Sequence, residues 1–313
     1  MGSFFHAVRV FGEHLAAVRW EFLALALALH FARLVFRAVA WRAILAAAYP
    51  DQRPKFRSAF GAYVAGVGVN SIVPARAGDA IKLYLIKHRI SESSYATLTP
   101  TLIAETLFDF VVGLALIIWA LSLGVLPAHE VYSRLPSVDW GFLVRNEKWT
   151  AVGLAALITV ALIGFIVFLE KGEEFRRRIG RGFAIMRDPS RFLTRVIAPQ
   201  AISWVLRAAS VYYFLRAFNV HASVHNALLA MVVDSLATLF PATPGGAGTK
   251  QGLIVFLFAG QAVNRAALLA FSVGMNIATV VFNVVLGALA LYAMARTFSW
   301  RRVRAAQAEE APG

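Results

Sequence analysis

The chain has 313 residues, of which 59% are hydrophobic and only 15% charged, with a mean hydropathy of +0.66. Soluble domains are about one quarter charged, so the composition excludes an ordinary soluble enzyme and indicates an all-α, polytopic membrane protein. Its net charge of +14 would suggest nucleic acid in a soluble protein, but no basic stretch outside the apolar runs is interleaved with stacking aromatics. Lys and Arg gather instead in cytoplasmic loops of membrane proteins. Continuous rather than alternating apolar runs argue against a β-barrel. Cys is absent, which removes disulfides, thiolate metal sites and Cys nucleophiles.

Residues 1–19 are mixed and read as an N-terminal interfacial segment. A first span is expected at 20–47. Its "FLALALAL" resembles a signal-peptide core but continues into His30, Arg33 and Arg37 rather than a cleavage site. A broken segment follows at 56–88, interrupted at Pro74 and Gly78. The next span is expected at 97–121, then a loop at 124–149 and a span at 150–169. A basic, partly amphipathic stretch covers 170–195, and another span lies at 196–218. A second broken segment occupies 225–260, interrupted at Pro241, Pro244, Gly245, Gly246 and Gly248. The last span is expected at 265–295, with a basic polar tail at 296–313.

Residues 170–195 carry a clear excess of Lys and Arg, whereas 124–149 hold three basic and three acidic residues. The first stretch therefore reads as cytoplasmic and the second as external. The basic residues at 53–57 and 87–89 place both ends of the first broken segment on the cytoplasmic side. Counting spans onward places both ends of the second outside. Each broken segment thus reads as a re-entrant helical hairpin. The stretch Ser71-Ile72-Val73-Pro74-Ala75-Arg76-Ala77-Gly78 matches Thr238-Leu239-Phe240-Pro241-Ala242-Thr243-Pro244-Gly245. The expected fold is an inverted repeat, with half-repeats at about 20–121 and 196–295 inside one domain at 20–295. Secondary transporters are often built this way.

Irregular backbone is tolerated at membrane depth only when buried in protein or lining a wet cavity. A helix that restarts after such a break presents N–H groups and a partial positive charge, which suit an anion. Arg76 and Lys82 lie beside the first break. The alternative for each break is a packing kink whose charges snorkel to the surface.

With these residues in view, the chain resembles the lysylphosphatidylglycerol synthase/flippase transmembrane family. The stretches "NSIVPARAGDAIK" (70–82) and "FPATPGGAGTKQ" (240–251) carry the resemblance, with "RAVAWRAIL" (37–45) in the same order and spacing. It covers about residues 20–295 and implies moving lipid across the membrane, or presenting it there. Members often carry an acid just after the second glycine-rich break. Here Gln251 follows Lys250, which puts a carboxylate-coupled role at that place in doubt. Some relatives are fused to a soluble aminoacyl-transferase domain; this chain ends eighteen residues after Ala295, so that activity is not expected in it.

The remaining charges were candidates for binding or for coupling. Arg33, Arg37, Asn70, Arg76, Lys82 and Arg207 are the candidate headgroup ligands. For Arg33 and Arg37 the competing reading is snorkelling at the end of the first span, and Arg42 reads as a boundary anchor. Asp79, Glu105, Asp109 and Asp234 are the candidate coupling or gating acids. Glu105 and Asp109, four residues apart, could carry protons, meet Arg76 or pair structurally. Arg207 and Asp234 are natural partners, since either alone in hydrocarbon is disfavoured. Asn276, Thr279 and Asn283 suit hydrogen bonds between helices. No catalytic residue, metal site or cofactor is expected, and "GGAGTK" lacks the spacing of a nucleotide-binding loop.

The expected function is translocation of an anionic phospholipid or polyprenyl-phosphate lipid across the cytoplasmic membrane by a multi-pass protein, not an enzyme. One alternative is a non-catalytic partner of an envelope-lipid biosynthetic enzyme. Another is a membrane-embedded lipid-phosphate enzyme. The expected partner is a lipid with an anionic headgroup, with no nucleic acid; a homodimer is compatible with the sequence.

Overall fold

The computed structural model describes residues 17–73, 76–122, 173–239, 249–258 and 265–309, and among them every regular element is helical. The expected loop at 124–149 and span at 150–169 lie outside the described residues. So do Pro74, Pro241, Pro244, Gly245, Gly246 and Gly248. Among the described residues, three helices are long and apolar enough to cross a membrane: Trp20–Ala48, Tyr95–Ala120 and Ala266–Arg296.

Helix α1 covers Trp20–Ala48. Helices α2 (Phe56–Ile72) and α3 (Ala77–Lys87) are the two arms of the first broken segment. Helix α4 spans Tyr95–Ser122, with Pro100 inside it, and α5 is the basic helix Glu173–Gly182. After a short turn at Pro189–Phe192 the chain passes through a π-helical turn, Leu193–Ile197, into α6, Ala198–Ala217. Pro199 explains that turn: it has no N–H to donate, and its ring crowds the carbonyl four residues back, so the helix widens there. Helices α7 (Val224–Leu239) and α8 (Thr249–Leu257) are the arms of the second broken segment.

The last helix, α9, runs Arg265–Glu309 and is longer than the expected span. Its extension, "RRVRAAQAE", is made of good helix formers with no Gly or Pro. Basic composition correctly ends the apolar span near Arg296 but does not end the helix.

Contacts between helix ends define two poles. At the first, Arg19 N–H donates to the Ala217 carbonyl (2.9 Å), joining the start of α1 to the end of α6. There too the Trp119 ring of α4 meets His225 at the start of α7 (centroids 5.6 Å apart). At the second pole, Ser94 N–H donates to Tyr49 Oη (3.3 Å) and Arg89 Nη2 donates to the Met294 carbonyl (3.1 Å). These contacts gather the end of α1, the start of α4, the end of α3 and the apolar limit of α9.

Helices α2 and α3 both meet the second pole, where Gly61 of α2 and Arg89 just after α3 lie against Met294, and the end of α2 lies well inside. Ser71, near the end of α2, accepts a hydrogen bond from Asn283 Nδ2 (3.1 Å), and Asn283 Oδ1 is hydrogen-bonded to His30 Nε2 (2.9 Å). Asn283 lies about 25 Å along α9 from Ala266 and about 20 Å from Arg296, at 1.5 Å per residue. The end of α2 is therefore near the middle of the apolar length of α9. The arms approach closely because two glycines face each other. A Cβ on Gly66 would fall 2.7 Å from the Gly78 carbonyl oxygen, and one on Gly78 would overlap the Gly66 carbonyl. A second seam joins α2 to α9, where a Cβ on Gly68 would lie 2.9 Å from Gly287 Cα. Close backbone approach at small residues is how helices pack when lipid supplies no hydrophobic drive.

The second broken segment starts from the first pole, where α7 begins. Its return arm packs Ile254, Leu257 and Phe258 into a core with Phe218 and Phe271. That core also holds Val211 and Phe214 of α6 and Leu229–Val233 of α7. A separate core at the second pole joins Leu34, Trp41 and Leu45 of α1 to Ala59 and Ala62 of α2, Ile86 of α3 and Met294 of α9. Both cores draw on helices from the two halves of the chain: Ala26 and Ala120 belong to the first and Met294 to the second.

Candidate functional site: a charged seam between two hairpins

Arg37, facing inward from α1, is the hub of the first cluster. Its Nη2 donates to Glu105 Oε1 (2.8 Å) and to Asp109 Oδ2 (2.5 Å), its Nη1 to Asp109 Oδ1 (2.6 Å), and its Nε to Tyr63 Oη (2.5 Å). Lys82, on the return arm α3, donates to the other Glu105 oxygen (2.5 Å). The Lys82 ammonium lies 4.2 Å from the ring centroids of both Trp41 and Tyr63, so two aromatic faces and a carboxylate enclose it. The Lys82 and Glu105 side chains are 5% and 3% exposed, and Arg37 is 9% exposed. Glu105 and Asp109 lie four apart on α4 and reach the same partner because that spacing places them on one helix face.

The turn of the first hairpin has its own network. Asn70 Oδ1 accepts from Gly78 N–H (2.7 Å), while its Nδ2 donates to Asp79 Oδ1 (3.2 Å). A side chain from the end of α2 thereby caps the start of α3. Arg76 takes a left-handed φ of 59° and pairs with Asp79 (3.0 Å) three residues on. Its side chain is 59% exposed. A cavity of about 90 Å³ runs from this turn to the first cluster, with Asn70, Arg76 and Asp79 at one end and Arg37, Lys82 and Glu105 at the other. At ~30 Å³ per water it has room for about three.

Asp234 of α7 centres the second cluster. It meets Arg207 Nη2 of α6 (3.1 Å) and Lys250 Nζ of α8 (2.9 Å). Trp204 links the clusters: its Nε1–H donates to Asp109 Oδ1 (2.8 Å), and the Arg207 guanidinium carbon lies 4.8 Å from its ring centroid. Arg33, one turn before Arg37 on α1, is half-buried and lies within electrostatic reach of Arg207, Arg37 and Asp109.

The structure brings together most of the expected site residues, but not always with the expected partners. Arg207 and Asp234 pair as the sequence suggested. Glu105 and Asp109 do not meet Arg76; they bind Arg37 and Lys82, which lie deeper. Lys82 and Arg37 are not snorkelling cations but members of a closed ion network. The first turn of α3 is less open than expected, because Asn70 and Asp79 occupy it. Arg42 donates to the Pro54 carbonyl (2.9 Å) and anchors the end of α1. Asn283 makes interhelical bonds, as the polar face of α9 suggested.

Sequence reasoning missed Tyr63, Trp41, Trp204 and the role of Lys250. For Lys250 a signal existed: one lysine follows Pro74 by eight residues and another follows Pro241 by nine. For the aromatics there was none, since an inward ring and a lipid-facing ring look alike in an apolar run. Among the described residues, no three of His, Asp and Glu gather as metal ligands.

A helical membrane protein whose apolar body encloses a network of buried charges is the class that this fold and site define. The lysylphosphatidylglycerol synthase TM region matches residues 4–287, and the chain belongs to that family. A UPF0104 membrane protein of Methanocaldococcus jannaschii is 21% identical over 239 residues, covering 73% of this chain and 94% of its own length. Another UPF0104 membrane protein, of Methanothermobacter thermautotrophicus, is 24% identical over 305 residues, covering 90% of this chain and 86% of its own length. No solved structure matches the chain.

Proposed function

We propose that the chain is a lipid translocase of the cytoplasmic membrane, multi-pass, carrying an anionic headgroup past two re-entrant hairpins while the tails stay in the bilayer. The observation that carries this reading is the charged seam at mid-depth in an otherwise apolar helical body. Charges there are strongly disfavoured unless paired or hydrated, and they commonly mark substrate or ion pathways. The cavity beside the first hairpin supplies a polar path from the exposed turn to that seam. The family name supports a place in lipid chemistry.

An inverted repeat is supported by the matched proline-glycine breaks and by the two pairs of arms, which start from opposite poles. Each hairpin also sends a lysine from its return arm toward a carboxylate: Lys82 to Glu105, and Lys250 to Asp234. In this reading the ion pairs are counter-ions that a headgroup phosphate displaces in turn.

Reconstitution into liposomes with fluorescent phospholipids tests the activity. Bleaching of the inner-leaflet label by an external reductant should rise with the protein, and an unchanged protected fraction for every anionic lipid would sink the reading. Sidedness is tested separately in this cysteine-free chain. Lys55→Cys at the second pole and Val224→Cys at the first, both exposed, should react with an impermeant thiol reagent from opposite sides. Labelling from one side would remove the inverted repeat.

A further inference from the structure

The charges inside the seam do not balance. The Arg76–Asp79 pair at the exposed turn is neutral by itself. The remaining interior cations are Arg33, Arg37, Lys82, Arg207 and Lys250, and the interior carboxylates are Glu105, Asp109 and Asp234. Five against three leaves two positive charges in excess. The chain offers no acid elsewhere in its apolar runs to meet them: residues 149–169 and 235–308 contain no Asp or Glu.

The excess is concentrated at Arg33. Among the described residues it makes no hydrogen bond or ion pair, and Arg207, Arg37 and Asp109 lie within electrostatic reach of it. Nearby acceptors are already engaged. Both Asp109 oxygens take Arg37, and one also takes Trp204. The Asp234 oxygens take Arg207 and Lys250. A half-buried guanidinium with five donors, on an apolar helix and close to other cations, is disfavoured unless water or something anionic reaches it.

We infer that Arg33 is the contact point of a phosphomonoester dianion, bound between the Arg37 and Arg207 clusters. A phosphomonoester carries a charge of about −1.5 to −2 at neutral pH, which matches the surplus. A phosphodiester carries one negative charge and leaves the seam positive. Arg33 can grip such a group through two parallel N–H bonds, and its charge persists at any working pH. This deepens the translocase reading and rests on it for the source of the dianion, a lipid whose headgroup is a bare phosphate.

Thermal unfolding of the purified full chain in detergent tests the assignment, at about pH 8, well above the second phosphate ionisation near 6. The probes are short-chain phosphatidic acid, short-chain phosphatidylglycerol and inorganic phosphate. Phosphatidic acid should raise the unfolding midpoint more than phosphatidylglycerol at equal concentration. In Arg33→Gln that preference should vanish, with the affinity for phosphatidic acid down about tenfold, the effect of losing charge-assisted bonds. Arg33→Lys should recover part of it. Without ligand, Arg33→Gln should unfold at or above the wild-type temperature, because it removes an uncompensated charge.

A ligand-free Arg33→Gln that unfolds well below wild type shows that Arg33 is already paired, and it overturns the inference. Equal stabilisation of the wild type by the two lipids overturns it as well. Inorganic phosphate acting as well as phosphatidic acid supports the dianion site and assigns it to the soluble ion, whereas a weak effect supports it and assigns it to the lipid. Because binding is read in detergent, a protein that binds the monoester yet moves no lipid in liposomes refutes the translocase reading alone.

Discussion

Around Arg37 two cations face two carboxylates, while around Asp234 two cations share one. The first cluster is nearly sealed: Arg37, Lys82 and Glu105 are between 3% and 9% exposed, and Trp41 and Tyr63 cover Lys82. In the second, Arg207, Asp234 and Lys250 are between 17% and 24% exposed. Both draw a cation from the helix leading into a hairpin and a lysine from its return arm. A neutral, closed network holds helices in register and breaks at high cost. A positive, more exposed one tolerates rearrangement more readily. One architecture thus supplies a clasp in one half and an open clamp in the other.

The contrast can be broken most easily at Glu105. Glu105→Gln leaves Lys82 without its carboxylate in a buried site, while Arg37 keeps only Asp109, and removing one partner of a buried ion network typically costs about 3–5 kcal/mol. Denaturation in detergent should show that loss; a variant as stable as wild type would mean the first cluster is not the clasp. Asp234→Leu should cost less, about 1–3 kcal/mol, because water reaches Arg207 and Lys250 once their shared carboxylate is gone.

Arg207→Leu should cost least, about 1 kcal/mol or below, since Asp234 keeps Lys250 as its counter-ion. The double variant Arg207→Leu/Asp234→Leu should cost less than its two singles added, with a coupling of about 0.5–3 kcal/mol. Strict additivity would show that the pair contributes nothing. Equal losses from Arg207→Leu and Asp234→Leu would show that Lys250 does not compensate.

Helix existence was largely legible in the sequence, because apolar length and proline-glycine punctuation are local properties. The first span, expected at 20–47, is Trp20–Ala48, and the first break falls between Ile72 and Ala77. The Arg207–Asp234 pair was legible because a charge inside an apolar run needs a partner and few were on offer. The partners of Lys82 were not, since they depend on how α3 rests against α4, and helical spacing does not encode that. Arg76 is instructive in the other direction. Its partner Asp79 stood three residues away in plain view, yet the attraction of an unoccupied helix start drew attention from it. The extension of α9 was missed because charge marks where lipid ends, whereas helix propensity marks where the coil can continue.

The two glycine seams bear on how this protein can move. At Gly66 against Gly78, and at Gly68 against Gly287, backbone meets backbone with no side chain to bend out of the way. Helices locked by such seams shift together or not at all. Mechanically, the first hairpin and the last helix are one rigid block, and neither arm slides along the other. The boundary between this block and α1 combines apolar packing of Leu34, Trp41 and Leu45 with long polar side chains, Arg37 reaching Tyr63 and His30 reaching Asn283. Long side chains can swing, and the gaps between them can fill with water. Any displacement of this block that leaves the glycine seams intact therefore falls between the block and α1, not within it.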